Sequence, residues 1–281
     1  MTVLLTVTAA LSVLFGWWYV RGLSRMRRHP QGRRAQRWRP WLLALAVVIT
    51  VVVTAPPLGD VLERRLSTHM VQHMVLIVVS APLLALAAPG RPLLAGMPRR
   101  PRGGLVRAAR RLPLGGLLTP HFAWAAHILL LWSWHMPAAY DAALRDETLH
   151  YLEHACFLGT AWLFWWHLAT VTRHRLRGPA ALLYVVAAVP PGAALGALLT
   201  FPNHPLYPVQ AAAALASGIN PLADQRIGGI VMWVPLDLAY MALAVWLFLR
   251  WFRNLDRDQD KETLPVVPGP VPGEPSLTRW R

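Results

Sequence analysis

Cysteine and charged residues are scarce in this chain, and each scarcity excludes a class of protein. The one cysteine among 281 residues, Cys156, excludes an internal disulfide bond and any metal site that needs several thiolates. Charged residues make up 15% of the chain against 55% for hydrophobic residues, which fits neither a soluble globular domain nor a disordered one. The sequence also contains no phosphate-binding loop, nucleophile elbow, CxxC pair or HExxH motif. We therefore expect a protein that is not an enzyme.

Acidic residues are outnumbered, with 13 Asp and Glu against 28 Lys and Arg and a formal net charge of +15. Such an excess is typical of nucleic-acid-binding proteins. Here, however, the basic residues form short blocks between long apolar runs, a distribution that a membrane protein explains better. We expect no nucleic-acid partner, and we expect the basic blocks to contact the anionic headgroups of a lipid bilayer at its cytoplasmic side.

Seven apolar stretches are long enough to cross a bilayer, since a spanning helix needs about 20 mostly apolar residues. The chain is therefore predicted to be an all-α integral membrane protein, with a single bundle of seven transmembrane helices over residues 1–255. Residues 256–281 are rich in proline and charge and are predicted to form a disordered cytoplasmic tail. The predicted helices are 2–20, 41–58, 68–90, 120–137, 150–171, 179–200 (interrupted at Pro190-Pro191-Gly192) and 228–250.

The distribution of basic residues predicts the orientation of the bundle. All but four of the 28 Lys and Arg residues lie in alternate connections and in the C-terminal segment. Because basic loops stay on the cytoplasmic side, the N-terminus is predicted to lie outside and the C-terminus in the cytoplasm. The first helix is followed, not preceded, by arginines, so we expect it to be retained rather than cleaved as a signal peptide. The predicted location is the bacterial plasma membrane, with several passes.

Histidines recur at the ends of three predicted helices that should meet at the outer membrane face. His69 and His73 are four residues apart at the start of the third helix, so both rings project from one side of it. The fifth helix begins with a second pair at the same spacing, and the fourth helix ends with a single histidine. The candidate metal ligands at this face are His69, His73, His135, His150, His154, Met70, Met74 and Glu153.

The residue types at this face favour a metal site. Imidazole and thioether groups together suit copper, with methionine favouring Cu(I), and histidines with a carboxylate also suit zinc. The alternative is that these histidines cap helix ends and hydrogen-bond one another or water near the membrane surface. Two histidine pairs at one depth favour the metal, or a proton-linked role. The outer connection 201–227, with its regularly placed prolines, is expected to cover the cluster.

Two further ionisable residues, His127 and Asp237, lie deeper in the predicted helices. His127 lies eight residues, or roughly 12 Å, inward of His135. Asp237 follows Pro235, whose ring leaves one backbone carbonyl without its helical partner. Both residues are candidates for a proton relay through the bundle. The alternatives are interhelical hydrogen bonds for His127 and pairing of Asp237 with a histidine.

The motifs at these positions resemble those of the caa3-type cytochrome c oxidase assembly factor (CtaG) family of multi-span membrane proteins. The resemblance implies a role in maturing a haem-copper cytochrome c oxidase, with the oxidase subunits as partners and its copper centres as the point of action. It extends over the predicted helices 3 to 7. The similar segments are 69–74 (HMVQHM), 81–84, 88–89, 132–137 (WSWHMP), 140–144, 150–154, 164–166, 224–225 and 229–233.

Two other functions fit the same residues. A b-type haem protein would use histidines of facing helices, such as His73 and His154, as axial ligands. A transporter of copper or protons would use Asp237, His127 and the interrupted sixth helix. The assembly factor, with copper bound by the outer histidines, is the function that the sequence favours.

Overall fold

The computed structural model describes residues 2–26, 38–111, 116, 119–169 and 176–263, and these residues form helices and short connections without any strand. We number the helices in chain order. They are α1 (Thr2–Met26), α2 (Arg39–Thr54), α3 (Leu58–Leu62), α4 (Leu66–Ala87), α5 (Gly90–Gly96), α6 (Arg99–Arg111), α7 (Pro120–Trp134), α8 (Pro137–Arg145), α9 (Glu147–Ala169), α10 (Gly178–Val186), α11 (Val189–Thr200), α12 (Pro208–Ala216) and α13 (Pro221–Thr263).

Three segments within the described residues are long and apolar enough to cross a membrane. They are Leu66–Ala87, Gly178–Thr200 and Pro221–Leu255, and α2 is a shorter apolar helix. Large apolar side chains cover the outside of the bundle, and Leu183 and Leu238, for example, are each 66% exposed. Such an outer surface suits lipid rather than water. The all-helical membrane class is thus confirmed, whereas the count of seven spans and the orientation of the termini stay predictions.

The connections contain more helix than the sequence analysis predicted. The connection 91–119 includes α6, and the connections 138–149 and 201–227 include most of α8 and all of α12. Pro137 and Pro208 stand at the first positions of α8 and α12, where the fixed φ of proline starts a helix without losing a hydrogen bond. Alanine-rich sequence follows each of them, and alanine has the highest helix propensity.

The last helix is longer than predicted at both ends. It begins at Pro221, where the Asn220 side chain accepts hydrogen bonds from the backbone N–H groups of Leu222 and Ala223. It continues to Thr263, into the segment predicted to be a disordered tail from residue 256. After Pro235 the next proline in the sequence is Pro265, so no proline interrupts the helix between Pro235 and its end at Thr263. Residues 264–281 lie outside the described part of the chain.

A π-helical turn, Val75–Ser80, interrupts α4, and Pro82 explains it. Proline has no N–H to donate and its ring clashes with the preceding turn. The Ala81 N–H bonds to the Leu76 carbonyl, five residues back, which leaves the Ile77 carbonyl without a helical donor. The indole of Trp165 on α9 donates to that carbonyl at 3.0 Å. The irregular turn therefore also joins α4 to α9.

The interruption predicted at Pro190-Pro191-Gly192 falls immediately before these residues. The α10 helix ends at Val186, and α11 starts at Val189 with a proline in its first turn. A proline in the first turn is compatible with a new helix, because the N–H groups there have no helical acceptor. The indole of Trp132 on α7 donates to the Pro191 carbonyl at 3.1 Å.

Close packing of α11 on α13 depends on glycine. A Cβ atom added to Gly229 would overlap the Thr200 hydroxyl and lie 2.8 Å from the Gly196 carbonyl oxygen. Small residues of this kind let helix backbones approach one another in membranes. The approach holds α13 against the centre of the bundle, where it also contacts α4. The contact between α13 and α4 includes Asp224, which accepts a hydrogen bond from the Leu66 N–H at the start of α4.

We expect Gly229→Ala to destabilise the protein by about 1–3 kcal/mol, because the added methyl group must push α11 and α13 apart. The matched control is Gly159→Ala in α9, where a Cβ atom would meet nothing within 4 Å. The control should be neutral or stabilising, because alanine favours a helix over glycine by about 1 kcal/mol. Thermal unfolding of both variants in the same detergent measures the difference. Equal stability of the two variants would contradict the packing argument.

Candidate functional site

The first turns of α4 carry His69 and His73 on one face, with ring centroids 4.3 Å apart. Both rings are completely buried. The start of α4 is held by Asp224 of α13, whose carboxylate accepts hydrogen bonds from the Leu66 N–H at 2.8 Å and from the Ser67 N–H at 3.4 Å. The Ser67 hydroxyl also donates to Asp224. This carboxylate satisfies N–H groups that a helix start otherwise leaves unpaired.

The first turns of α9 carry His150, Glu153 and His154 on one face. The rings of His150 and His154 are 4.3 Å apart, as expected for residues four apart in a helix. Asp146 precedes the helix and accepts a hydrogen bond from the Leu149 N–H at 3.0 Å, which caps the N-terminus. The side chains of all three residues are buried.

These two helix faces meet. The rings of His73 and His154 are 5.3 Å apart, and those of His69 and His154 are 5.8 Å apart. His69, His73, Glu153 and His154 each offer one ligand atom, and these atoms all lie within 4.8 Å of one another. We call these four residues the inner set, and the inner set together with His135 and His150 the histidine cluster. The helices that the sequence analysis expected to meet thus bring their histidines together.

Glu153 stands out within the inner set. Its side chain is completely buried, and neither carboxylate oxygen makes a hydrogen bond. Oε1 lies 3.8 Å from His73 Nε2, and Oε2 lies 3.7 Å from His150 Nδ1. Both distances are too long for hydrogen bonds, which have N···O distances of about 2.7–3.2 Å. The carboxylate is therefore surrounded by imidazole nitrogens without being paired to any of them.

His135, at the end of α7, completes the cluster. Its Nδ1 donates to the Leu131 carbonyl at 2.7 Å, so in the neutral ring the lone pair lies on Nε2, which makes no hydrogen bond. The ring centroid lies 5.6 Å from that of His73. Phe157 of α9 packs against both rings, with centroid distances of 4.6 Å to His73 and 5.5 Å to His135. His135 thus borders the inner set on its deeper, aromatic side.

Glu63, in the connection before α4, is a member of the site that the sequence analysis missed. Its carboxylate accepts a hydrogen bond from His150 Nε2 at 3.0 Å, and its backbone carbonyl accepts one from the Gln210 amide at 3.0 Å. Burial pushes the pKa of Glu63 upward, yet the hydrogen bond from His150 and the charge interactions with His150 and His154 outweigh it, so this pKa lies below its ordinary value. Glu63 therefore stays ionised at neutral pH.

Exposure falls stepwise from Glu63 into the cluster. The side chain of Glu63 is 32% exposed, that of His150 is 9% exposed, and that of Glu153 is not exposed at all. Because His150 donates its Nε2 proton to Glu63, the lone pair of the neutral ring lies on Nδ1, which faces Glu153. These groups form a graded path of acceptor atoms from the surface to the inner set.

Two tyrosines, also missed from the sequence, hold the histidines in place. The Tyr140 hydroxyl of α8 forms a hydrogen bond of 2.9 Å with His69 Nδ1. The Tyr207 hydroxyl, next to α12, donates to the His135 carbonyl at 2.8 Å. The two phenol rings pack against each other with centroids 4.3 Å apart. The connections on this face, including 201–227, thus contribute directly to the cluster.

The methionines named as ligands lie in the apolar core. Met70 and Met74 are both buried among hydrophobic residues, and Met70 Cγ would lie 3.3 Å from a Cβ atom at Gly228. Met70 therefore packs on α13. A role of these two sulfur atoms as ligands stays a prediction.

The two candidates for a proton relay have separate surroundings. His127 is buried, and its Nδ1 lies 3.3 Å from the Thr160 hydroxyl and its Nε2 lies 3.4 Å from the Tyr240 hydroxyl. Asp237 lies one turn before Tyr240 on α13, opposite Gly192 of α11, and its buried Oδ1 makes no hydrogen bond. These contacts favour the interhelical hydrogen bonds considered for His127. The relay itself stays a prediction.

We expect Asp224→Ala to lower the free energy of unfolding by about 2–4 kcal/mol, because buried donors at the start of α4 lose their acceptor. Asp146→Ala is the matched control, since it removes an exposed capping carboxylate and should cost about 0.5–2 kcal/mol. Thermal unfolding followed by tryptophan fluorescence measures both. A larger loss in the control than in Asp224→Ala would contradict the role given to Asp224.

A family model matches most of the chain. No curated protein and no solved structure matches it. The matching model, described as cytochrome c oxidase caa3 assembly factor, covers residues 17–254 and so includes Glu63 and every residue of the histidine cluster. The resemblance seen in the sequence is thereby confirmed. The chain belongs to the family of cytochrome c oxidase caa3 assembly factors.

Proposed function

We propose that this protein assists the maturation of a haem-copper cytochrome c oxidase by holding a copper ion in the inner set for transfer to an oxidase subunit. The family supports the pathway. The unpaired carboxylate of Glu153 supports the ion. We propose a bacterial plasma membrane protein that crosses the bilayer several times and carries the site at its outer face.

The proposal of a bound metal ion depends on the surroundings of Glu153. An ionised carboxylate that is buried without a partner costs several kcal/mol, so natural proteins protonate such a group, pair it or bind a cation to it. Hydrogen bonds within the cluster do not meet this need, because the nearest imidazole nitrogens are 3.7–3.8 Å away. A cation between the carboxylate and the imidazoles would satisfy both at once. This argument disfavours the reading in which the histidines only bond one another.

The donor atoms suit a small transition-metal ion. Ligand atoms bound to one ion at roughly 2.0–2.2 Å lie at most about 4.4 Å from one another. The ligand atoms of the inner set lie within 4.8 Å of one another, so side-chain movements that shift them by a few tenths of an ångström bring them around one ion. Three neutral imidazoles and one carboxylate leave a site with Cu(I) electrically neutral, whereas a divalent ion leaves one positive charge among buried groups. Neutrality favours copper in its monovalent form.

Tyr140 would fix the orientation of His69 as a ligand. Metal-bound histidines commonly use their second nitrogen in a hydrogen bond that sets the tautomer and the ring orientation. His69 has this arrangement, since Nδ1 bonds to the Tyr140 hydroxyl while Nε2 makes no hydrogen bond. The free Nε2 is the atom that would bind the ion.

The graded path from Glu63 through His150 would serve ion exchange. An ion that leaves the inner set next meets His150 Nδ1, which already faces Glu153, and then the Glu63 carboxylate. Each step replaces one ligand by another of similar chemistry, so the ion is never without ligands. Transfer to a partner needs such a route, whereas a permanent structural site does not.

We expect His73→Ala and Glu153→Gln to weaken copper binding by at least tenfold, because each removes a ligand of the inner set. The control is His204→Ala, which removes an exposed histidine outside the cluster and should leave binding unchanged. Calorimetric titration of purified protein with Cu(I), Cu(II) and Zn²⁺ measures affinity and stoichiometry. Binding that is equal in all three variants and the wild type would remove the metal from the proposal.

The oxidase itself provides the second readout of these variants. Cells whose chromosomal copy carries Glu153→Gln should produce an oxidase with a lower ratio of copper to haem, and cells with His204→Ala an ordinary ratio. An unchanged ratio in Glu153→Gln cells would mean that metal binding at this site is not needed for maturation of the oxidase. Copper flux in liposomes would instead indicate the transporter, and a haem absorption band in the purified protein would indicate the haem-binding alternative.

We expect Tyr140→Phe to weaken copper binding by about 10–100-fold while the stoichiometry stays the same, since it removes only the hydrogen bond to His69. Tyr151→Phe is the control, because its hydroxyl bonds to Glu147 on the exposed side of α9. The same calorimetric titration compares the two. A loss of equal size in Tyr151→Phe would show that the effect is not specific to His69.

A further inference from the structure

A basic cleft lies far from the histidine cluster in sequence, where the end of α1 meets the segment that joins α5 to α6. Its volume is about 700 Å³. Four arginines contribute to its lining, together with Ala95, Met97 and Pro98. The arginines are Arg21, Arg25, Arg99 and Arg102.

Glycine packing holds these arginines together. A Cβ atom at Gly22 would overlap the Pro92 carbonyl, and one at Gly96 would overlap the Trp18 carbonyl and lie 2.8 Å from Gly22 N. The backbones of α1 and α5 therefore touch at this point, as small residues allow in membrane helices. The Arg25 guanidinium then donates to the Ala95 carbonyl at 2.5 Å, across the same contact.

The cleft has no acidic residue to neutralise it. None of its lining residues within the described ranges is an aspartate or glutamate. The sequence from residue 1 to 59 and from 66 to 140 contains no acidic residue at all, so neither chain segment that forms the cleft supplies one. Like charges at short range repel unless an anion lies between them. Among the described residues, the fold thus brings four cations together with no acidic side chain in the lining of their cleft.

We propose that this cleft binds the phosphate of an anionic phospholipid headgroup. Arginine suits a phosphate because its planar guanidinium donates two parallel hydrogen bonds to it. Arg21 and Arg25 come directly after the apolar run of α1, at the depth where a bilayer presents its headgroups. Four arginines match a headgroup with two phosphates better than one with a single phosphate.

The surface around the cleft suits the acyl chains of the same lipid. Val20 of α1 is exposed one residue before Arg21, and Trp17 is exposed one turn earlier. Leu105 and Val106 of α6 are exposed apolar side chains between the arginines of that helix. An amphipathic basic helix of this kind lies in the membrane surface with its apolar side chains among the lipids. A lipid, unlike a free phosphate ion, uses both the charged cleft and the apolar surface.

The test is lipid retention by the purified full-length protein. Native mass spectrometry counts bound cardiolipin (two phosphates), phosphatidylglycerol (one phosphate) and phosphatidylcholine (zwitterionic) in the wild type and in Arg21→Gln/Arg99→Gln. We expect retention in the order cardiolipin, phosphatidylglycerol, phosphatidylcholine, and a loss of cardiolipin affinity of about tenfold or more in the double variant. The matched control is Arg100→Gln/Arg107→Gln, which removes the same charge from exposed positions outside the lining of the cleft.

Three results would overturn the proposal. An equal loss in the control variant would mean that net charge alone attracts the lipid. Displacement of cardiolipin by millimolar inorganic phosphate would identify a free-phosphate site instead. Unchanged retention in Arg21→Gln/Arg99→Gln would exclude the cleft. A second variant, Arg21→Lys/Arg99→Lys, keeps the charge and so tests the cleft even if Arg21→Gln/Arg99→Gln fails to fold. A cardiolipin affinity between those of the wild type and the Gln variant would support paired hydrogen bonds from arginine to phosphate.

Discussion

The buried carboxylate of Glu153, which makes no hydrogen bond, is the group around which one end of this bundle is arranged. In its ionised form such a group is stabilised by a positive partner close by. Glu153 faces imidazole nitrogens from two helices, at distances that only an intervening ion or a rearrangement can close. Around it, each supporting contact orients one ring: Tyr140 orients His69, the Leu131 carbonyl orients His135, and Glu63 orients His150. These contacts order the rings without a bound ligand, and such order would lower the cost of binding one.

The carbonyl that is freed in the irregular turn of α4 is satisfied by a tryptophan. In a membrane, every carbonyl freed by a proline needs a donor from the protein, because water is absent. Trp165 donates to the Ile77 carbonyl in the π-helical turn of α4, and Trp132 donates to the Pro191 carbonyl at the start of α11. Both contacts also tie neighbouring helices to one another. Trp165 and Trp132 thus support two interrupted helical segments, of which α4 carries His69 and His73.

The sequence was sufficient to predict the helical membrane class and the meeting of the histidines, because both depend on local periodicity. Four-residue spacing fixes which side of α4 bears His69 and His73, and apolar length indicates helices that can cross a bilayer. Glu63 and the tyrosines Tyr140 and Tyr207 escaped notice because they act through contacts between distant segments. Glu63 bonds a histidine 87 residues away, for instance, and no local pattern carries that information. The helices within the connections were not predicted, because the prediction was based on apolar length and these helices are too short to cross a bilayer.

The contact between the tilted rings of Tyr140 and Tyr207 has a mechanical consequence. One phenol is bonded to a cluster imidazole and the other to the main chain of His135, so these contacts join α8, the segment before α12 and the ends of α4 and α7. A protein that docks on these external segments and displaces either ring would disturb the orientation of His69 at the same moment. Docking of the partner and weaker binding of the ion would then occur in one step. Release of the ion would need no separate signal.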